Sequence, residues 1–362
     1  MDGIINVRKE KGYTSFDVVA VLRGILHEKK IGHCGTLDPD AEGVLVVCAG
    51  HATKLVDLLT AHEKTYHAVM RLGITTDTQD ISGEILSSAP VQVTEEEIAE
   101  AVRSFTGELE QLPPMYSAVK VNGKKLCDYA RAGKEVDRKP RKVFVHEIII
   151  DKVGLPDVEL TVRCSKGTYI RTLCEDIGRS LGCGAAMASL VRVKSGSFSI
   201  DDAWTLDEIR KEMAASETGS AAENAPEETS QTHVPAFLKP LDTCFYDLPQ
   251  VTVTGDKDIL VQNGNPVRLS EKWFTGPKYE SSFFDGNADA AVSRVRVYLE
   301  DGTFAGVYQY IQEKRFWKPW KIFLTAEQGV RPVRSSEKNR NSRDRARIQN
   351  YENNRISGSD PF

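Results

Sequence analysis

The sequence predicts an α+β protein: a mixed helix-and-strand part up to about residue 210, then a small β-domain. Two patterns carry this. In the first part apolar residues recur both at helical spacing and in strict alternation, whereas after Ala236 short strand-like runs separated by turn residues take over. Between them, residues 214–235 hold four acids, no Lys or Arg, and many Ala, Ser, Thr and Pro, which predicts a disordered linker or surface insertion.

Taken in order, residues 16–27 read as a helix with Phe16, Val19, Leu22 and Leu26 on one side and Thr14 or Ser15 as its cap. Residues 66–72 alternate, with Tyr66, Ala68, Met70 and Leu72 on one face of a strand. Thr94 with Glu97 forms a capping box that opens a helix burying Ile98, Val102 and Phe105. Val158, Leu160, Val162 and Cys164 alternate as a half-buried strand leading into Lys166-Gly167-Thr168. A helix starts near Tyr169 and turns Ile170, Leu173, Ile177 and Leu181 inward. In the β-domain, residues 295–300 and 304–310 flank Asp301-Gly302, a hairpin signal. The last stretch, 331–362, carries eight Arg and Lys with no apolar periodicity and reads as disordered.

Composition bounds the function. With 362 residues, 40% hydrophobic and 27% charged, the chain can bury a sizeable core in about two domains. No apolar run approaches the ~20 residues of a membrane span and no signal-peptide block opens the sequence, so a cytoplasmic protein is expected. Seven cysteines without a Cys-x-x-Cys pair fit reduced thiols better than disulfides or zinc, and no metal is expected. The net charge of −5 does not advertise a nucleic-acid binder. Locally the balance reverses, because residues 120–142 hold nine basic residues against three acids. Lys120, Lys124, Lys125, Arg131, Lys134, Arg141 and Lys142 are its backbone-binding candidates, with Tyr116 and Tyr129 beside them. A solvated surface face is the alternative.

The chemistry centres on Asp38. It stands before Pro39 in GHCGTLDPDAEGVL, among glycines, which places it on a sharp turn with its carboxylate held outward. A carboxylate there serves as a nucleophile if a cation holds it, although Asp-Pro is also an ordinary turn starter. Arg171, in the first turn of the helix after SKGTY, is the candidate cation, the alternative being an i,i+4 surface pair with Glu175. Tyr66 and Tyr169 offer rings for stacking a base, or for core packing. No dinucleotide fingerprint, phosphate loop or zinc quartet is found, so no cofactor is expected.

Four segments, GHCGTLDPDAEGVLVVCAGHATK, KTYHAVMRLGITTDTQD, LPPMYSAVKVNGKKLCDYARAG and CSKGTYIRTLCEDIG, resemble in order the signature motifs of the bacterial tRNA pseudouridine-55 synthases, the TruB family, across about residues 4–199. The resemblance implies a pseudouridine synthase fold, with a mixed central sheet and flanking helices, over residues 1–212, with an RNA-gripping insertion at about 110–142. A linker at 213–235, a PUA-like β-domain at 236–328 and a basic tail at 329–362 complete the expected organisation.

The resemblance makes Asp38 the nucleophile, Arg171 its partner, and Tyr66 the ring stacked on the flipped uracil and a candidate proton acceptor. His33 fills the space left by the extruded base, while Tyr169 and Leu190 line and close the base pocket. Lys9 matches the lysine of an N-terminal K-P-x-G motif, except that Glu10 stands in the proline position. The implied substrate is the T-arm stem-loop of tRNA, modified by a monomer without cofactor, guide RNA, obligatory protein partner or membrane. Two other readings compete: an RNA-binding or chaperone protein that keeps the fold without the chemistry, and a guide-RNA-dependent relative of the dyskerin type. Asp38, Tyr66 and Arg171 together argue against the first, and the NGKKLCDYARAG insertion against the second.

Overall fold

The computed structural model describes residues 1–219, 234–276 and 294–324. They fall into two units, divided between Leu241 and Asp242. The elements of the first are β1 (Gly3–Lys9), α1 (Ser15–Leu26), β2 (Ile31–His33), β3 (Glu42–Ala49), α2 (Val56–Thr60), β4 (Lys64–Leu72), β5 (Ile74–Thr76), β6 (Ile85–Ser88), α3 (Glu95–Ser104) and β7 (Gly107–Gln111). After these come β8 (Lys120–Val121), β9 (Lys124–Lys125), α4 (Leu126–Ala130), β10 (Arg141–Gly154), β11 (Asp157–Cys164), α5 (Ile170–Ser180), β12 (Ala185–Ser195), β13 (Phe198–Ser199), α6 (Leu206–Gly219) and β14 (Leu238–Lys239).

Its large sheet runs β14-β1-β3-β12-β4-β11-β10-β7, with β2 on β3 and β13 on β12. The pairing is antiparallel except between β3 and β12, which run parallel through Val191↔Glu42 and Arg192↔Gly43. That approach is very close. A Cβ on Gly43 would lie 2.3 Å from the Arg192 carbonyl oxygen, so only glycine lets β12 approach β3 there.

Strand β3 is buried from Gly43 onward, as its unbroken apolar run requires. Strands β4 and β11 alternate as predicted, with Ala68, Met70, Leu160 and Val162 fully buried in one hydrophobic cluster against α3 and α5. A second cluster gathers Val7, Leu22, Leu45, Ile209 and Phe237 between β1, β3, α1 and α6. The capping box of α3, Thr94 with Glu97, is present as read.

Three expectations are corrected. Phe16 does not join the inward stripe of α1, which consists of Ser15, Val18, Val19, Leu22 and Leu26; Phe16 is 64% exposed. The segment read as linker from residue 213 is helical as far as Gly219, because a capping box between Thr205 and Glu208 launches α6. Nor does the β-domain begin at 236: Phe237 and Leu238 are buried in the second cluster and β14 pairs with β1, so the first unit extends to Leu241.

The second unit holds a four-stranded sheet, β15 (Gln250–Thr252), β16 (Arg294–Tyr298), β17 (Phe304–Ile311) and β18 (Phe316–Ile322), with a short helix α7 (Asp256–Gln262). The hairpin predicted around Asp301-Gly302 is β16–β17. The basic tail lies outside the described residues, as do residues 220–233 of the predicted linker.

Candidate active site

Asp38 lies on the loop from β2 to β3, and three side chains from distant positions pin that loop on either side of it. Before it, Arg192, 1% exposed, donates from Nη2 to the Gly35 carbonyl at 3.2 Å, while its Nε is anchored on the Val44 carbonyl in β3 at 2.7 Å. At the preceding residue, the Ser15 hydroxyl accepts the Leu37 amide at 2.9 Å and donates to the Leu37 carbonyl at 3.2 Å. After it, the fully buried Lys9 donates from Nζ to the carbonyls of Glu10, Pro39 and Ala41 at 3.0, 3.0 and 2.6 Å. Burial pushes the Lys9 ammonium down to about 8. Lys9 therefore contacts loop backbone in place of an open substrate surface, and Glu10 contributes its carbonyl to that clamp.

Arg171, in the first turn of α5, is buried and faces Asp38: its Nε lies 3.1 Å from Asp38 Oδ2. The rest of the guanidinium is used as well. Nη1 donates to the Thr78 carbonyl at 3.0 Å and sits 3.7 Å from Asp80 Oδ2, and Nη2 donates to the Tyr116 carbonyl at 2.7 Å. The alternative pairing with Glu175 is not made; Glu175 accepts from Gln79 and pairs with Arg179. The Asp38 side chain keeps 40% of its surface open. Enclosure by the cleft pushes its carboxyl above the ordinary carboxylate value, opposed by Arg171 and then reinforced by Asp80.

Two hollows meet at this pair. A cleft of about 910 Å³ is lined by Asp38, Arg171, His33, Leu190, Lys125 and Arg131, among others. A pocket of about 250 Å³ is lined by Asp38, Arg171, Tyr66, Tyr169, Leu190 and Lys64. Tyr66 stands opposite Arg192 in register and Leu190 opposite Ala68, so β4 and β12 form one wall of the pocket. Burial pushes the Tyr66 hydroxyl above its usual value despite the Arg192 guanidinium, so it stays a neutral phenol. Tyr169 caps α5 and is fixed by Gln111, which accepts its amide at 2.9 Å and donates to its carbonyl at 3.2 Å. His33, at the end of β2, is held by burial below the ordinary imidazole value and is neutral at pH 7.

The basic run divides. Lys120, Lys124 and Lys125 stand on a hairpin, β8–β9, turned by Asn122 and Gly123, both at positive φ. The Lys124 ammonium lies 5.1 Å from the Tyr129 ring centroid, and α4 is anchored by the buried Leu126. Arg141 and Lys142 instead belong to β10, and Lys142 is paired with Glu108 at 2.7 Å. Residues missed in sequence reading are Arg192, Ser15, Asp80, Lys64 and Gln111. A basic residue at an inward register position of β12, next but one to Leu190, was a usable signal for Arg192.

A mixed sheet with one parallel junction thus carries an arginine-held carboxylate beside a ring-lined pocket. Family comparison places this fold among the pseudouridine synthases. Residues 23–170 match the N-terminal domain of the TruB family pseudouridylate synthases, and residues 171–245 the tRNA pseudouridylate synthase B C-terminal domain. The tRNA pseudouridine synthase B of Lachnoclostridium phytofermentans is 45% identical, over 90% of this chain and 100% of its own length. That of Bacillus pumilus is 46% identical, over 91% of this chain and 99% of its own. A chain in the structure of an H/ACA RNP bound to a substrate RNA containing 2'-deoxyuridine shares the fold at TM-score 0.61 and 23% identity, covering 90% of this chain and 86% of that one. The chain belongs to the TruB family of pseudouridylate synthases.

Proposed function

We propose that this enzyme, an isomerase that forms pseudouridine in tRNA, acts on uridine 55 in the T loop, with Asp38 as nucleophile on a base flipped into the small pocket. The observation that carries the reading is the Asp38–Arg171 pair at the junction of cleft and pocket. The isomerisation breaks the bond from ribose to ring nitrogen, turns the uracil and rejoins it through carbon 5, with a proton leaving that carbon and one ending on the released ring nitrogen. It imports no group or electrons. What it needs is a nucleophile to hold the detached or activated intermediate, walls that keep a base in place while it turns, and a route for one proton.

The residues supply these three. Asp38, held by Arg171 yet partly open, is presented by a loop clamped at Gly35, Leu37, Pro39 and Ala41, so little freedom is lost at attack. Tyr66, Tyr169 and Leu190 enclose the base, with stacking on a ring contributing ~1–3 kcal/mol. The neutral Tyr66 phenol acts as a relay, accepting the carbon-5 proton at its oxygen as its own passes to the released ring nitrogen. His33, on the cleft wall, occupies the place the base leaves in the RNA stack. The hairpin lysines and Arg131 grip phosphates of the T-arm, and the protein works as a monomer without guide RNA.

The test is Asp38→Asn with a bare T-arm stem-loop transcript and the purified protein alone. Pseudouridine formation at the T-loop uridine should fall by a factor on the order of 10³ or more while RNA affinity changes little, since the amide fills the same volume but does not attack. Near-normal turnover would refute the nucleophile assignment.

A further inference from the structure

We propose that Phe16 is a stacking platform for an unpaired nucleobase adjacent to the target uridine; the inference rests on the reading of the cleft as the RNA site. A single exposed apolar side chain is ordinary on a protein surface. The position of this one is not. Phe16 stands on the first turn of α1, is 64% exposed, and lines the 910 Å³ cleft that contains Asp38.

Its place relative to the chemistry is fixed by its neighbour. Ser15 is bonded in both directions to the backbone of Leu37, the residue before Asp38, so the backbone that carries the Phe16 ring is tied to the Asp38 loop. The Arg23 guanidinium stands over the ring at 5.7 Å from its centroid, which leaves the opposite face for a flat partner. The same cleft is lined by Lys11, Lys125 and Arg131. Cationic side chains that follow a phosphate chain, combined with an open ring, form the pattern that binds unpaired nucleotides. Ile81, 48% exposed, adds a second apolar surface on that lining.

The base is a neighbour of the target because Phe16 borders the cleft while Tyr66 and Tyr169 border the small pocket, and Asp38 borders both. A uridine turned into the small pocket leaves the adjoining nucleotide at the cleft, unstacked from it. A ring there recovers the stacking that flipping removes.

The experiment uses the full chain, a T-arm stem-loop, and versions of that RNA with an abasic nucleotide on one or the other side of the target. The unmodified pair is assayed first for pseudouridine; failure at this step would refute the functional reading rather than the role of Phe16. Phe16→Ala and Phe16→Leu should each raise Kd about tenfold, within the range stacking gives on alanine substitution, and Phe16→Trp should restore binding. The dependence of Kd on salt should keep its slope, because every cation that meets a phosphate is still in place. One of the two abasic RNAs should weaken binding by the wild-type chain by a similar factor and by Phe16→Ala no further. Wild-type affinity in Phe16→Leu would overturn the proposal, since an apolar cover without a π face would then suffice. Equal abasic penalties in wild type and Phe16→Ala, or a lowered melting temperature in Phe16→Ala, would overturn it as well.

Discussion

Replacing Arg171 by lysine conserves the charge beside Asp38 and removes the geometry. The guanidinium addresses three acceptors in different directions: Asp38 Oδ2 at 3.1 Å, the Thr78 carbonyl at 3.0 Å and the Tyr116 carbonyl at 2.7 Å. Those three are met by three separate nitrogens, Nε, Nη1 and Nη2, whereas an ammonium in that place donates from one point and reaches one of them well. The other two acceptors are left without their donor, and with hydrogen bonds to a charged group at about 1.5–3 kcal/mol each, roughly 3 kcal/mol of stability goes with them once partial hydration is allowed for. For a unit of this size that lowers Tm by about 6–12 °C. Chemistry should suffer separately, because the Asp38 carboxylate, its backbone still clamped, loses the donor that orients it, and a displacement near 1 Å costs on the order of 10² in rate. The assay is single-turnover pseudouridine formation at saturating RNA, well below the lowered Tm, alongside a thermal melt. A variant that melts lower but turns over at the wild-type rate would show that Arg171 only supports the fold and would refute the positioning argument.

Period and cap chemistry made the strands and helices legible, whereas, the Asp38–Arg171 pair apart, partners distant in sequence did not show. Val158, Leu160, Val162 and Cys164 could be read as one face of a strand because every second residue meets the core. Arg171, turned away from Ile170 and Leu173, reads from its own helix either as the cation for Asp38 or as a surface partner of Glu175, and it is Asp38, Thr78 and Tyr116, brought in from three other segments, that make its position a buried one. Phe16 misled for the complementary reason. Its hydrophobicity suggests the core, but the inward face of α1 starts at Ser15, whose hydroxyl is committed to the Leu37 backbone. The nucleophile candidate and its ring-bearing neighbours were visible as motifs; the clamps that aim Asp38, namely Arg192, Ser15 and Lys9, are buried polar groups whose acceptors are backbone carbonyls, and a carbonyl has no signature in sequence.

Two further outcomes follow from the charged groups. If the β8–β9 hairpin and the segment after it grip phosphates, replacing Lys124, Lys125, Arg131 and Lys134 with alanine raises Kd at low salt and reduces the slope of log K against log salt by roughly 0.7–0.9 for each phosphate no longer neutralised; an unchanged slope would mark them as a solvated face. Lys142 is left out because Glu108 already pairs with it. The second concerns Lys9, whose ammonium, pushed down to about 8 by burial, serves three loop carbonyls. Above that pH the amine has two N–H bonds for three acceptors, the loop carrying Asp38 loosens, and the saturated rate should fall with a midpoint near pH 8. Unfolding would not account for this fall. Between pH 8 and the free-lysine value of about 10.5 the folded chain binds fewer protons at this site than the unfolded chain, so this group makes stability rise with pH as the rate declines. Lys64, also lowered to about 8, titrates in the same window, and the two are separated by Lys9→Arg, which stays charged. Its alkaline limb should shift upward or disappear, whatever its absolute rate. An unaltered limb in Lys9→Arg would assign the titration elsewhere and refute the coupling of Lys9 to the Asp38 loop.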